Sequence, residues 1–135
     1  MKKLKKNVTV ALLSVILASC GETCASELLA TSLAPDGHAQ ATFSRANCGA
    51  TTGYSYEVRV FSDGNASIAG ETVLRFDDNH AVNWPNDDRD VLSMSWVAER
   101  QLVVTVNSPI RIFLEERSVD GISVSFKTPA GTARM

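Results

Sequence analysis

Short segments in which apolar and polar residues alternate constrain this chain more than any other feature. Alternation with a period of two predicts β-strands that bury one face. It occurs in residues 39–44, 54–61, 92–96 and 121–127. Two denser apolar runs, residues 102–106 and 110–114, predict central strands.

Turn signals separate these segments, because glycine supplies a positive φ and proline fixes φ near −65°. They are Pro35-Asp36-Gly37, Asp63-Gly64-Asn65, Asn107-Ser108-Pro109 and Asp120-Gly121. A tight connection is expected at Ala98–Gln101, and a helical pattern fits only a short turn around Ser26–Leu29. The fold predicted is an all-β domain of about seven strands, either a small antiparallel β-sandwich or a partly open barrel.

The amino-terminal segment has the layout of an export signal, with lysines followed by an apolar run from Val8 to Ala18. As a helix this run would reach only about 16 Å, roughly half of a bilayer's hydrocarbon core. It ends in Leu17-Ala18-Ser19-Cys20, which resembles a bacterial lipobox. That resemblance implies a diacylglyceryl group on the Cys20 sulfur, cleavage just before Cys20 and acylation of the new amino terminus. The alternative is a secreted protein with an unmodified Cys20.

With a lipobox at this position, the sequence predicts a cleaved signal peptide at 1–19, a lipidated tether at 20–23 and a single β domain at 24–135. Without residues 1–19 the chain loses four of its thirteen lysines and arginines and keeps fifteen acidic residues, a formal charge of −6. Such a surface does not suit nucleic acid or anionic headgroups, so membrane attachment is expected through the lipid. Gram-negative lipoproteins that stay in the inner membrane resemble one another in having an aspartate after the acylated cysteine. Gly21 stands at that position here, which favours the outer membrane, facing the periplasm, if the host has one.

Three cysteines leave one thiol unexplained in an exported protein. Assigning Cys20 to lipid leaves Cys24 and Cys48 for a disulfide, which persists in an oxidising compartment. Closing that loop would stabilise the fold by about 3.5 kcal/mol in the chain-entropy model. A metal site is the alternative, but the cysteines and two distant histidines lack the paired short spacings of a zinc centre.

The stretch "ANCGATTGYSYEVRV", residues 46–60, resembles a group of short uncharacterised bacterial proteins that carry a Cys-Gly-Ala-Thr-Thr signature. The resemblance extends through Asp78-Asn79-His80 and the hairpin from Trp96 to Val106. Ala46-Asn47 stands where many members have Arg-Asp before the central cysteine. The resemblance implies a fold unit and a link between Cys24 and Cys48, and it implies no assigned activity.

Two polar segments are candidates for function. Residues 48–53 are small and predict either a tight connection between strands or a backbone nest for an anion. Residues 76–90 concentrate five aspartates around His80 and Trp84. This acidic loop predicts either a solvated connection, a weak calcium site or a surface that binds a partner. The candidate partner-binding residues are Asp78, Asn79, His80 and Trp84.

Catalysis is not expected. The sequence contains no Gly-x-Ser-x-Gly elbow, His-Glu-x-x-His helix or dinucleotide fingerprint. No cofactor or catalytic residue is therefore assigned. The function expected is non-catalytic binding or structural support in the bacterial cell envelope, with an envelope protein or cell-wall component as partner. The alternatives are an inhibitor or immunity-type lipoprotein that blocks an attacking enzyme and, from another class, a hydrolase.

Overall fold

The computed structural model describes residues 24–49, 53–63 and 69–135, and this part of the chain is nearly all β. A short 3₁₀ helix at Asp88–Val91 precedes the fifth strand. The ten strands are β1 Ala25–Leu33, β2 Ala39–Asn47, β3 Ser55–Ser62, β4 Glu71–Asp77, β5 Leu92–Ala98, β6 Gln101–Val106, β7 Arg111–Glu115, β8 Ser118–Val119, β9 Ile122–Lys127 and β10 Ala133–Arg134.

The strands form two sheets that do not close into a barrel. The larger sheet has the order β1-β2-β3-β4-β7-β10 and the smaller has the order β5-β6-β9-β8. The predicted all-β fold is confirmed, and so is the tight connection at Ala98–Gln101, which joins β5 to β6. Two strand pairs, β6 with β9 and β7 with β10, are parallel, whereas the sequence predicted antiparallel pairing.

The helical turn expected around Ser26–Leu29 is wrong, because these residues belong to β1. They pair antiparallel with β2, with Ala25 opposite Asn47 and Leu28 opposite Ser44. Strand β1 is the edge of the larger sheet and most of its residues are exposed. Most β1 side chains are exposed on both faces of the sheet, so the sequence of β1 lacks the alternation that marks β2 and β3.

The core lies between the two sheets, where alternate residues of each strand are buried. Its centre in the larger sheet is a stack of Phe43, Tyr56 and Phe76, whose ring centroids lie 5.1 to 6.2 Å apart. The smaller sheet contributes aliphatic side chains to the same core: Leu92, Leu102, Val104, Val106, Ile122 and Val124. At one seam the sheets are joined by Trp96 of β5, whose indole Nε1–H donates to the carbonyl of Ser32 in β1 at 3.1 Å.

Strand register defines two ends of the sandwich. At one end, Ala25 lies opposite Asn47, Ser55 lies opposite Asp77, and Asp77 lies opposite Arg111. The Cys24–Cys48 disulfide is at this end, which is called the disulfide end below. The opposite end contains the turns at residues 34–38, 99–100 and 120–121, where Arg100 donates a hydrogen bond to the Asp120 carbonyl at 3.0 Å.

Candidate functional site

The disulfide predicted between Cys24 and Cys48 is present, with their Cα atoms 4.1 Å apart. It ties the residue that precedes β1 to the residue that follows β2. Beside it, the Asn47 side chain accepts a hydrogen bond from the Gly49 backbone N–H at 3.1 Å, and Gly49 has a φ of 140°. Glycine suits that backbone conformation, since other residues rarely adopt it. Thr51 and Thr52 of the Cys-Gly-Ala-Thr-Thr signature lie outside the described residues, as does Cys20 with its predicted lipid.

The candidate partner-binding residues lie in a connection from Asp78 to Val91, between β4 and β5, which is called the polar loop below. Strand β4 ends at Asp77 and runs into the loop at the disulfide end. Asp77 holds this exit from the sheet through an ion pair with Arg111 of the neighbouring β7. The loop therefore starts from a fixed point at the disulfide end.

The first part of the polar loop is a tight turn stabilised by aspartate side chains. The Asn79 N–H donates to Asp77 Oδ1 at 2.9 Å, and the His80 N–H donates to Asp78 Oδ1 at 3.1 Å. Asn79 and His80 have φ values of 48° and 56°. Short polar side chains favour such turns because they bond to the backbone two residues on.

The tip of the loop is exposed. Asn79, His80 and Asn83 are all exposed, and Val82 has 97% of its surface accessible. An aliphatic side chain is thus displayed among amide and imidazole groups. The turn holds these side chains on the surface instead of folding them back onto the domain.

Trp84 lies differently from the other three predicted residues. Its ring is half-buried and packs against the core, with its centroid 5.4 Å from that of Tyr56. The indole Nε1–H donates to Asp88 Oδ1 at 3.0 Å. Trp84 therefore packs between the polar loop and the core, while Asp78, Asn79 and His80 form the neighbouring turn.

Asp88 connects the loop to the larger sheet. Its Oδ2 accepts from Arg45 Nη1 at 2.5 Å, and Arg45 Nη2 lies 2.7 Å from Glu27 Oε2. Hydrogen bonds that the Arg45 guanidinium donates to the Asp88 and Glu27 carboxylates hold the pKa of Arg45 above its usual range. The guanidinium also lies over the Tyr54 ring, 4.8 Å from its centroid. This arrangement joins β1, β2 and the 3₁₀ helix through one cation.

Tyr56 lies beneath this ion pair and is 2% exposed. Burial raises the pKa of its hydroxyl above the usual range, and the negative charge of Asp88 raises it further. Burial of an ionisable hydroxyl disfavours its charged form, and a nearby carboxylate acts in the same direction. Tyr56 therefore stays neutral and serves as a packing surface for Trp84.

The end of the loop is fixed by hydrogen bonds to the backbone. Asp87 caps the 3₁₀ helix by accepting from the Arg89 N–H at 2.9 Å. Asn107, which follows β6, donates through its side chain to the Asp90 carbonyl at 2.9 Å and through its N–H to the Val91 carbonyl at 2.8 Å.

Sequence reasoning missed Arg45, Tyr56 and Asp88 as parts of this site. Arg45 and Tyr56 are ordinary members of strands β2 and β3, and Asp88 is one aspartate among several. Nothing in the local sequence indicates that these three residues meet, because pairing of β2 with β3 places Arg45 opposite Tyr56 and the polar loop brings Asp88 to Arg45.

Within the described ranges no group of three or more histidine, cysteine, aspartate or glutamate side chains is arranged to hold a metal ion. The same residues include no helix that is long and apolar enough to span a membrane. Comparison with protein-family models, with the curated proteins and with the solved structures finds no match to this chain.

Proposed function

We propose that this chain is a lipid-anchored protein of the bacterial cell envelope that contacts another envelope component without catalysis. Support for the anchor comes from the lipobox-like run that ends at Cys20, four residues before the disulfide-linked Cys24. An anchor on Cys20 would place the β domain in the periplasm, on the outer membrane if the host has one. Without residues 1–19 the chain has nine basic and fifteen acidic residues, a formal charge of −6, which agrees with attachment through lipid instead of through a basic patch.

The observation that carries the contact function is the fixed, exposed turn of the polar loop. Asn79, His80 and Val82 are displayed on a segment whose backbone is held by Asp77 and Asp78. The adjoining Trp84 and Asp88 secure this turn to the sandwich. A surface that is already ordered loses little conformational entropy on binding, which favours association.

The aspartates around the turn support binding more than acid–base chemistry. Asp77 is paired with Arg111, and Asp78 accepts from the His80 backbone. Asp87 caps the 3₁₀ helix, and Asp88 bonds to both Trp84 and Arg45. These carboxylates determine the shape of the loop, so replacing them would alter structure before it altered any chemistry.

The anchor is tested by growing cells with a fatty-acid analogue and comparing the wild type with Cys20→Ser. The wild-type protein should take up label and fractionate with membranes. The variant should be unlabelled and either unprocessed or soluble, because the thioether is the stable attachment proposed. An unlabelled, soluble wild-type protein would refute the lipid anchor.

The contact function is tested by cross-linking in intact envelopes followed by affinity purification. The wild type should retain a cell-wall or membrane component, and an Asn79→Ala, His80→Ala, Val82→Ser variant should retain less of it. Glu99→Ala, an exposed change in the turn at the opposite end, is the matched control and should behave as wild type. A single stoichiometric enzyme would favour the inhibitor alternative, and the absence of any partner would reopen the hydrolase alternative.

A further inference from the structure

The position of Cys24 restricts how the domain can stand on a membrane. Cys24 immediately precedes β1 and is fixed at the disulfide end by its bond to Cys48. Four residue steps separate it from Cys20. At full extension they span only about 14 Å, since each residue adds at most about 3.6 Å.

The sandwich is long compared with this tether. Strand β3 has eight residues and runs from the disulfide end to the opposite end. At about 3.3 Å per residue it alone spans about 26 Å. A tether of about 14 Å keeps the disulfide end within that distance of the membrane surface, whereas it places no such restriction on the opposite end.

We propose that the disulfide end is the membrane-facing surface of the domain, and that the component contacted by the polar loop is the lipid headgroup layer. This inference rests on the lipid anchor of the proposed function and names the partner of the same loop. The turns at residues 34–38, 99–100 and 120–121 then face the aqueous compartment.

The chemistry of the loop tip fits a shallow contact with headgroups. Val82 offers an aliphatic side chain, while Asn79, His80 and Asn83 offer polar groups that remain hydrogen-bonded in a hydrated interface. One exposed valine provides too little apolar area to insert the domain into hydrocarbon. The surplus of acidic residues disfavours anionic lipid, so the expected occupant is a zwitterionic headgroup layer.

Fluorescence quenching on vesicles tests this orientation. The full lipidated protein is prepared as Val82→Cys and as Glu99→Cys, each labelled with the same fluorophore at the added thiol. Both positions are exposed, and they lie at opposite ends of the sandwich. The proteins are bound to phosphatidylcholine vesicles that contain a lipid with a quencher on its headgroup. Quenching at position 82 should exceed that at position 99 by roughly fivefold, because a strand length of about 26 Å exceeds the reach of a contact quencher.

The controls separate the orientation from the anchor. Cys20→Ser in each background should abolish quenching at both positions, and quenching that survives this change would contradict the lipid anchor. Equal quenching at 82 and 99, stronger quenching at 99, or none at either position in vesicle-bound lipidated protein would overturn the orientation while leaving the anchor intact. Hydrogen exchange of the unlabelled wild type provides a second readout, in which vesicle binding should slow exchange in residues 79–83 and leave residues 99–101 unchanged.

Discussion

The two halves of the polar loop are both rich in polar residues, yet they are held in different ways. Residues 78–83 are held by the side chains of Asp77 and Asp78, which accept hydrogen bonds from the backbone of Asn79 and His80, and their tip is exposed. In residues 84–91 the side chains reach the rest of the domain, through Trp84 on Tyr56 and Asp88 on Arg45. The first half has a local structure and the second half a tertiary one.

Within the polar loop, the residues that stabilise the fold are therefore different from the residues proposed to contact a partner. Residues whose side chains pack on the core contribute to folding, whereas residues held only by local turns can change at small cost. The second half can therefore serve as a rigid base and the first half as the surface displayed on it. Substitutions in and around the two halves test this division, and the largest loss of stability is expected when the disulfide is removed.

Loss of the disulfide should loosen the second half of the polar loop more than the first half. Cys24→Ala with Cys48→Ala should lower the free energy of unfolding by about 3.5 kcal/mol, because the unfolded chain regains the entropy of an open loop. The start of β1 carries Glu27, which shares Arg45 with Asp88, so loosening β1 should weaken the second half of the loop. Denaturant unfolding measures the first effect. Hydrogen exchange should then increase more in residues 84–91 than in residues 78–83.

The disulfide itself can be checked on protein taken from the envelope without reductant. Mass spectrometry after treatment with an alkylating reagent should show neither Cys24 nor Cys48 modified. Two alkylated thiols in the folded protein would contradict the bond and the stability argument that depends on it.

The second prediction compares one residue from each half. Trp84→Ala should destabilise the domain by about 3 kcal/mol, the lower end of the range for large aromatic residues, because the ring is only half-buried. Val82→Ala, two residues away on the exposed tip, should change stability by less than about 0.5 kcal/mol. Chemical denaturation of both variants gives the comparison directly. Equal effects would mean that Trp84 does not pack under the loop.

The sequence predicted the elements of this fold where one face of a strand is buried. Strands β2, β3 and β9 show the expected alternation, and their buried positions include Phe43, Val58 and Val124. Strand β4 escaped prediction because a register shift beside Val73 leaves Val73 and Leu74 buried in succession, which breaks the period of two. The parallel pairing of β6 with β9 was also unpredictable, since β7 and β8 intervene and no turn joins the pair.

The site was predictable only in part for a related reason. The local composition of residues 76–90 indicated a polar connection and drew attention to Asp78, Asn79, His80 and Trp84. It could not show that Trp84 packs on Tyr56, which is distant in sequence, or that Arg45 selects Asp88 from several aspartates. Both contacts depend on where the side chains of β2 and β3 lie in the folded domain, which the spacing of apolar residues does not indicate.

The third prediction concerns Tyr56, on which the second half of the loop packs. Folding raises the pKa of Tyr56 above the ordinary tyrosine value of about 10. The neutral Tyr56 hydroxyl therefore contributes its full stabilisation below about pH 10, and this stabilisation is lost as the pH rises towards the folded pKa. Asp88→Asn removes the neighbouring charge and should lower the pKa of Tyr56, although burial should still keep that pKa above its ordinary value. Tyrosinate absorbance in a Tyr54→Phe background measures the titration, since Tyr54 and Tyr56 are the two tyrosines. An unchanged titration would show that the Asp88 charge does not act on Tyr56.

The smallest effect is expected in the first half of the loop, where the two histidines of the chain provide a matched pair. His80 has a φ of 56°, a conformation that glycine adopts without steric strain, whereas His38 is not among the residues with positive φ. His38→Gly should cost about 0.5 to 1 kcal/mol, because glycine gains more freedom in the unfolded chain. In His80→Gly the relief of strain should offset that loss, leaving stability within about 0.5 kcal/mol of the wild type. Thermal unfolding of the two variants provides the comparison. If His80→Gly is as destabilising as His38→Gly, then the turn does not hold residue 80 in the left-handed conformation, and the first half of the loop lacks the fixed shape on which its proposed contact depends.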